Sequence, residues 1–85
     1  MVSREVTINP KVKKGSFPIT KFIDKAKRFT AKVEVAKGDF QIDATSLMGL
    51  LSLQLAGGMK VKVIGNGKDE GKAVKELAQF LAEVY

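Results

Sequence analysis

A chain of 85 residues, 45% apolar and 28% charged, has the make-up of one ordinary globular domain with a modest core rather than of a disordered segment. It contains no histidine and no cysteine, which removes the commonest metal ligands, disulfides, thiolate chemistry and the usual general base near neutral pH. The net charge of +6 is unevenly placed, with ten Lys and Arg against three Asp and Glu in residues 1–38, and five against six in residues 39–85.

That asymmetry predicts one basic face, suited to an acidic or phosphorylated partner; a merely solvated surface is the plain alternative. No apolar run approaches the eighteen or so residues of a membrane span, and the first residues lack the apolar core of a signal peptide. A cytoplasmic location is therefore expected.

Residues 2–8 alternate loosely, with Val6 and Ile8 on one side and Glu5 and Thr7 on the other, a half-buried strand closed by Asn9-Pro10. A basic loop, Lys11 to Gly15, follows. Ser16 is placed to cap a helix with Pro18 in its first turn, where a missing N–H does no harm. Ile19, Phe22, Ile23, Ala26 and Phe29 recur at spacings of three and four, so the helix is expected to run to about Phe29. Its outer face carries Lys21, Lys25 and Arg28, with Asp24 one turn before Arg28. Val33 and Val35 alternate with Lys32 and Glu34, and Lys37-Gly38 turns the chain into Phe40 and Ile42, which makes a hairpin.

Residues 45–58 form the stretch around which the rest is arranged. Thr45 or Ser46 can act as N-cap, and Gly57-Gly58 can supply the left-handed residue that ends a helix. Between them Leu47, Met48, Leu50, Leu51, Leu53 and Leu55 are too many for one buried stripe, and so small a chain cannot bury a helix on every side. Part of this apolar surface is expected to be kept for a partner.

Met59, Val61 and Val63 then alternate strictly with Lys60 and Lys62 in the cleanest strand of the chain, which Gly65-Asn66-Gly67 breaks. The last helix opens at Lys68 or Asp69, with Asp69 and Glu70 where the dipole favours acids. Ala73, Val74, Leu77, Phe80, Leu81 and Val84 form its stripe. The order βαββαβα predicts an α+β open-faced sandwich: a four-stranded sheet, antiparallel or mixed, with three helices on one face and Lys32, Glu34, Lys60 and Lys62 on the open one. No nucleophile–base pair suggests itself, so neither enzymatic activity nor a cofactor or metal is expected. The lysines come without a recognition helix, zinc site or aromatic platform, which argues against nucleic acid.

The run Thr45-Ser46-Leu47-Met48-Gly49-Leu50-Leu51-Ser52-Leu53, followed by Gly57-Gly58 and by Gly67-Lys68-Asp69-Glu70, resembles the HPr family, the small phosphocarriers of the bacterial sugar phosphotransferase system. The resemblance covers the whole chain and implies an antiparallel four-stranded sheet under three helices. The family's chemistry depends on a second motif, Gly-(Leu/Ile)-His-Ala-Arg-Pro-Ala, at the start of the first helix. Here the matching residues are Lys13-Lys14-Gly15-Ser16-Phe17-Pro18-Ile19, so that Pro18 agrees, Gly15 stands at the phosphohistidine position and Phe17 at the arginine position. With no histidine in the chain, the family's phosphohistidine relay is excluded.

Ser16, beside Lys13 and Lys14 at a helix start, is left as a cap or a weak anion site. For Ser46 the resemblance implies more. In the Gram-positive branch of the family the matching serine is phosphorylated by a dedicated ATP-dependent serine kinase, and the modified protein joins a LacI-type repressor of carbon catabolite genes. Histidine-less members retain only this serine, although with Gln where this chain has Gly15. Leu47, Met48 and Leu51 would supply the adjoining apolar contact. Without the resemblance, Ser46 reads as a plain N-cap and the Leu/Met cluster as core. A second role is docking to phosphotransferase-system subunits without carrying phosphate, through the first-helix face of Phe17, Ile19, Lys21, Phe22 and Lys25.

Overall fold

Seven elements appear in the expected order in the computed structural model, which describes residues 1–83: β1 (Val2–Thr7), α1 (Ile19–Ala26), β2 (Lys32–Lys37), β3 (Phe40–Asp43), α2 (Leu47–Leu53), β4 (Lys60–Asn66) and α3 (Glu70–Glu83). The strands pair in the order β1-β4-β2-β3, and every pair is antiparallel. Register carries the two-residue period across the sheet. Val6 lies opposite Val61, and Val35 lies opposite both Val63 and Ile42, so the apolar side chains of all four strands share one face. Val33, Val35, Val61 and Val63 are buried there, whereas Lys32, Lys60 and Lys62 stand exposed on the other side. Burying a Val or Leu of this kind contributes roughly 1.5–3 kcal/mol, and the face continues into Phe22, Leu50, Leu77 and Leu81 of the three helices, all fully buried.

Three helix ends differ from the sequence reading. α1 starts at Ile19 with Pro18 as its N-cap residue and no side-chain cap, so Ser16 does not cap it. Phe17 precedes a proline, whose ring pushes the preceding residue out of the helical region, and the helix can only begin beyond it. The Ser16 amide instead donates to the Lys13 carbonyl at 2.9 Å in a turn. At its other end α1 stops at Ala26, so Arg28 does not sit one helical turn from Asp24. Lys25 makes the ion pair of this helix, 3.6 Å from Glu76 of α3.

α2 ends at Leu53, and its left-handed cap is Gln54, φ 52°, rather than Gly57 or Gly58. Turning the chain there returns Leu55 to the core, where it is buried. Gly57 and Gly58 serve the next contact instead, their amides donating to the carbonyls of Val12 at 2.7 Å and Ile8 at 2.9 Å. A Cβ on Gly57 would lie 2.6 Å from the carbonyl oxygens of Asn9 and Pro10, so only glycine lets the two backbones approach.

Asp69 precedes α3 and spends its carboxylate on another segment, accepting from the amides of Thr30 at 3.0 Å and Ala31 at 2.7 Å. Ala73, Val74, Leu77 and Leu81 form the buried stripe of α3, with Phe80 partly buried against the core. Val84, expected to extend it, lies outside the described residues.

Candidate functional site

Asp43 ends β3, and its side chain shapes the turn into α2. Its Oδ1 accepts from the Thr45 amide at 2.8 Å and the Thr45 hydroxyl at 2.6 Å. This closes an Asx-type turn, in which a short carboxylate mimics the backbone carbonyl of a tight turn. The Thr45 hydroxyl bond, followed by the Thr45 amide, holds the Asp43 carboxyl below its ordinary pKa, against the opposing effect of partial burial and with a smaller contribution from Lys32. The turn delivers Ser46 in an extended conformation, φ −92° and ψ 112°, as the N-cap of α2. The Gly49 N–H donates to Ser46 Oγ at 3.0 Å, so a half-buried hydroxyl satisfies one of the helix's unpaired amides.

Beyond the cap, α2 divides into two faces. Leu50 and Leu53 are buried, while Leu47, Met48 and Leu51 are 53%, 79% and 52% exposed. Three large apolar side chains exposed on a seven-residue helix form the apolar patch that the leucine count predicted. The far end of α2 is held from the sheet, where Lys37 Nζ donates to the Leu53 carbonyl at 3.1 Å. A cation at that end matches the negative pole of the helix.

The patch runs through Leu51 into a cleft of about 270 Å3 whose lining includes Lys14, Gly15, Phe17, Ile19 and Leu50. Both sequence motifs therefore meet in one place. Gly15 forms part of the rim in a left-handed conformation, φ 84°, with open space where a side chain would go. A wider groove of about 840 Å3 lies between α1 and α3, away from both motifs, and both members of the Lys25–Glu76 pair line it.

Two expected contact residues are not offered to a partner. Phe17 is only 7% exposed, with its ring centroid 5.8 Å from that of Phe22 and 6.2 Å from that of Phe80. Phe22 is itself fully buried. Once α1 begins at Ile19, the Phe17 side chain falls inward under the helix, where burying an aromatic ring gains more than exposing it. This leaves Lys21, which is exposed, without the aromatic neighbours that the first-helix docking surface requires. Ser16 is exposed in its loop and makes no side-chain cap to α1.

Three contributors escaped the sequence reading. Asp43 had a local signal, an Asp two residues before a Thr, which is the Asx-turn pattern. Gly49 had one as well, since glycine inside a helix costs about 1 kcal/mol and demands a packing reason. Lys37 had none, because its partner lies sixteen residues away.

Comparison with known proteins agrees with this geometry. A family profile described as the PTS HPr component phosphorylation site matches residues 2–83. The chain belongs to the HPr family. Among its relatives the HPr-like protein Crh of Bacillus subtilis is 35% identical over 83 residues, covering 98% of each chain. The HPr-like protein Crh of Halalkalibacterium halodurans is 32% identical over 81 residues, covering 95% of this chain and 96% of its own. The crystal structure of the HPr of Bacillus anthracis superposes with a TM-score of 0.87 at 28% identity, covering 94% of this chain and 95% of that one. This HPr-like chain, of the Crh type, keeps the family's fold and contains no histidine. Among the described residues no helix is long and apolar enough to cross a membrane.

Proposed function

We propose that this protein is a regulatory docking module of the phosphotransferase system, switched by phosphorylation of Ser46. The observation that carries the proposal is the placement of the Ser46 hydroxyl, half-buried at the N-terminus of α2, directly before the exposed Leu47, Met48 and Leu51. A kinase that modifies Ser46 and a partner that reads the modification would meet the same apolar patch.

The electrostatics favour such a switch. A phosphate adds about −1.5 to −2 charges, and a negative group beside a helix N-terminus is stabilised by roughly 0.3–1 kcal/mol. Phosphate oxygens can keep the Gly49 amide satisfied, so α2 is expected to survive the modification. Each charge-assisted contact from a partner's arginine would then add about 1.5–3 kcal/mol, enough to change occupancy at least tenfold. Asp43, already ionised beside the cap, works against the phosphate and makes partner cations the more necessary.

The partners that fit are an HPr-type serine kinase and then a LacI-type repressor controlling carbon catabolite genes, all in the cytoplasm. Relatives named HPr-like protein Crh support this choice over the carrier role. With no imidazole to receive phosphate, the protein acts by binding and not by catalysis. The alternative of docking through α1 loses its support with Phe17 and Phe22 in the core.

The test is incubation with ATP and an HPr-type serine kinase, followed by mass measurement and by binding to a LacI-type repressor. The wild type should gain one phosphate and bind the repressor at least tenfold tighter, while Ser46→Ala does neither. An unmodified wild-type protein would defeat the proposal.

A further inference from the structure

The chain has three methionines, and their surroundings differ in a way that concerns the same patch. Met48 is 79% exposed and belongs to the cluster with Leu47 and Leu51. Met59 packs partly buried against the core, and its sulfur accepts the Ala56 amide at 3.1 Å, so one of its lone pairs is engaged. Met1 is as exposed as Met48, but its ammonium group pairs with Glu70 at the start of α3, on an element other than α2.

We infer that Met48 is a site of reversible oxidation by hydroperoxides, and that its oxidation turns the docking face of α2 from apolar to polar. The thioether sulfur of Met48 attacks the terminal oxygen of the peroxide. The O–O bond breaks, the oxygen stays on sulfur, and water leaves when the oxidant is hydrogen peroxide. Sulfur loses two electrons and the peroxide gains them. The sulfoxide is strongly polar and rigidly bent at a position whose value to a partner lies in an adaptable, apolar side chain. It shares an exposed face with two leucines that a partner must dry out to bind, so an unpaired S=O group would be carried into that contact. Methionine sulfoxide reductases reverse the change with thiol reductants, which restores the apolar face. The consequence for docking rests on the reading of α2 as a docking face; the selectivity among the methionines does not.

The experiment treats the full chain with graded hydrogen peroxide and maps the three methionines by peptide mass. Retention on a hydrophobic-interaction column, a readout that needs no partner, is followed on the same samples. Met48 should oxidise several-fold faster than Met59, and retention should fall in step with Met48 oxidation. Sulfoxide reductase should restore it. Met48→Leu should keep full retention through the same treatment although its Met1 still oxidises. In parallel, Ser46 phosphorylation by an HPr-type serine kinase should slow on oxidised wild type and not on oxidised Met48→Leu. Equal oxidation of Met48 and Met59, or a loss of retention shared by Met48→Leu, would overturn the inference. A kinase inactive on untreated protein would instead count against the Ser46 proposal, leaving the map and the retention to decide the oxidation site.

Discussion

Gly49 of α2 lies so close to Ile42 of β3 that a Cβ built on the glycine would stand 2.9 Å from the isoleucine Cβ and 3.2 Å from Ser46 Oγ. Bare backbone at that point sets the depth of α2 on the sheet and leaves room for the capping hydroxyl. The Ile42 Cβ is fixed to its strand and cannot swing away. Gly49→Ala is therefore expected to destabilise by about 1–2 kcal/mol, overpacking outweighing the better helix propensity of alanine. Gly71, in the first turn of α3, has open space around it, and Gly71→Ala should stabilise by roughly 0.5 kcal/mol. Urea unfolding of both variants measures the contrast; a stabilised Gly49→Ala would show that α2 can move away from Ile42.

Ser46 has a structural role before any modification. Removing its hydroxyl leaves the Gly49 amide without its 3.0 Å partner, so Ser46→Ala should cost about 0.5–2 kcal/mol while Ser46→Asn stays near wild type. This matters for the phosphorylation assay, in which Ser46→Asn is the better-folded unmodifiable control. Thermal unfolding of the three proteins distinguishes capping from any other effect.

Acid should weaken the fold through carboxylates that bind amides. Asp69 is held below its ordinary pKa, first by the Thr30 amide and also by the Ala31 amide, with desolvation opposing them. Asp43 is lowered chiefly by the Thr45 hydroxyl. A folded-state pKa below the unfolded value of about 3.9 means that the stabilisation is fully present above that pH. It is lost as pH falls through the lower folded-state value. Urea midpoints should therefore stay nearly level from neutral pH down to about 5 and drop below about 4. In Asp69→Asn the midpoint at neutral pH should be lower and the acid drop smaller. An acid drop unchanged in that variant would mean that other carboxylates carry it.

If Gly15 stands where the family carries its phosphohistidine, placing histidine there should still not confer carrier activity. Gly15 adopts φ 84°, where a side-chain-bearing residue costs roughly 1 kcal/mol or more. Phe17, the residue that the resemblance aligns with the family's arginine, has its ring in the core. Gly15→His should lose about 1 kcal/mol of stability, and it should gain no acid-labile phosphoryl group from phosphoenolpyruvate and the system's first kinase. Labelling of that variant would show that the loop can readopt the carrier geometry without a guanidinium.

How far the chain could be read without coordinates depends on how local each signal is. The alternation of Val33 and Val35, and of Val61 and Val63, is a property of neighbours, because side chains on a strand alternate faces whatever they pack against. The same holds for the stripe from Ala73 to Leu81, for Ser46 ahead of an apolar run, and for the missing histidine. Order, fold class, a hydroxyl cap at Thr45 or Ser46 and an apolar surplus on α2 were legible from these, but which residues of α2 stay exposed was not. What no window of a few residues contains is the identity of the segment across the way. Phe17 is core and not surface because Phe80, 63 positions later, meets its ring. The end of α2 falls at Gln54 because Leu55 returns to the core and Lys37 reaches over from the sheet. Asp69 leaves its own helix for Thr30 and Ala31. Periodicity is written in the chain at a range of two to four residues, whereas burial is settled by contacts between distant segments, and only the folded arrangement supplies those.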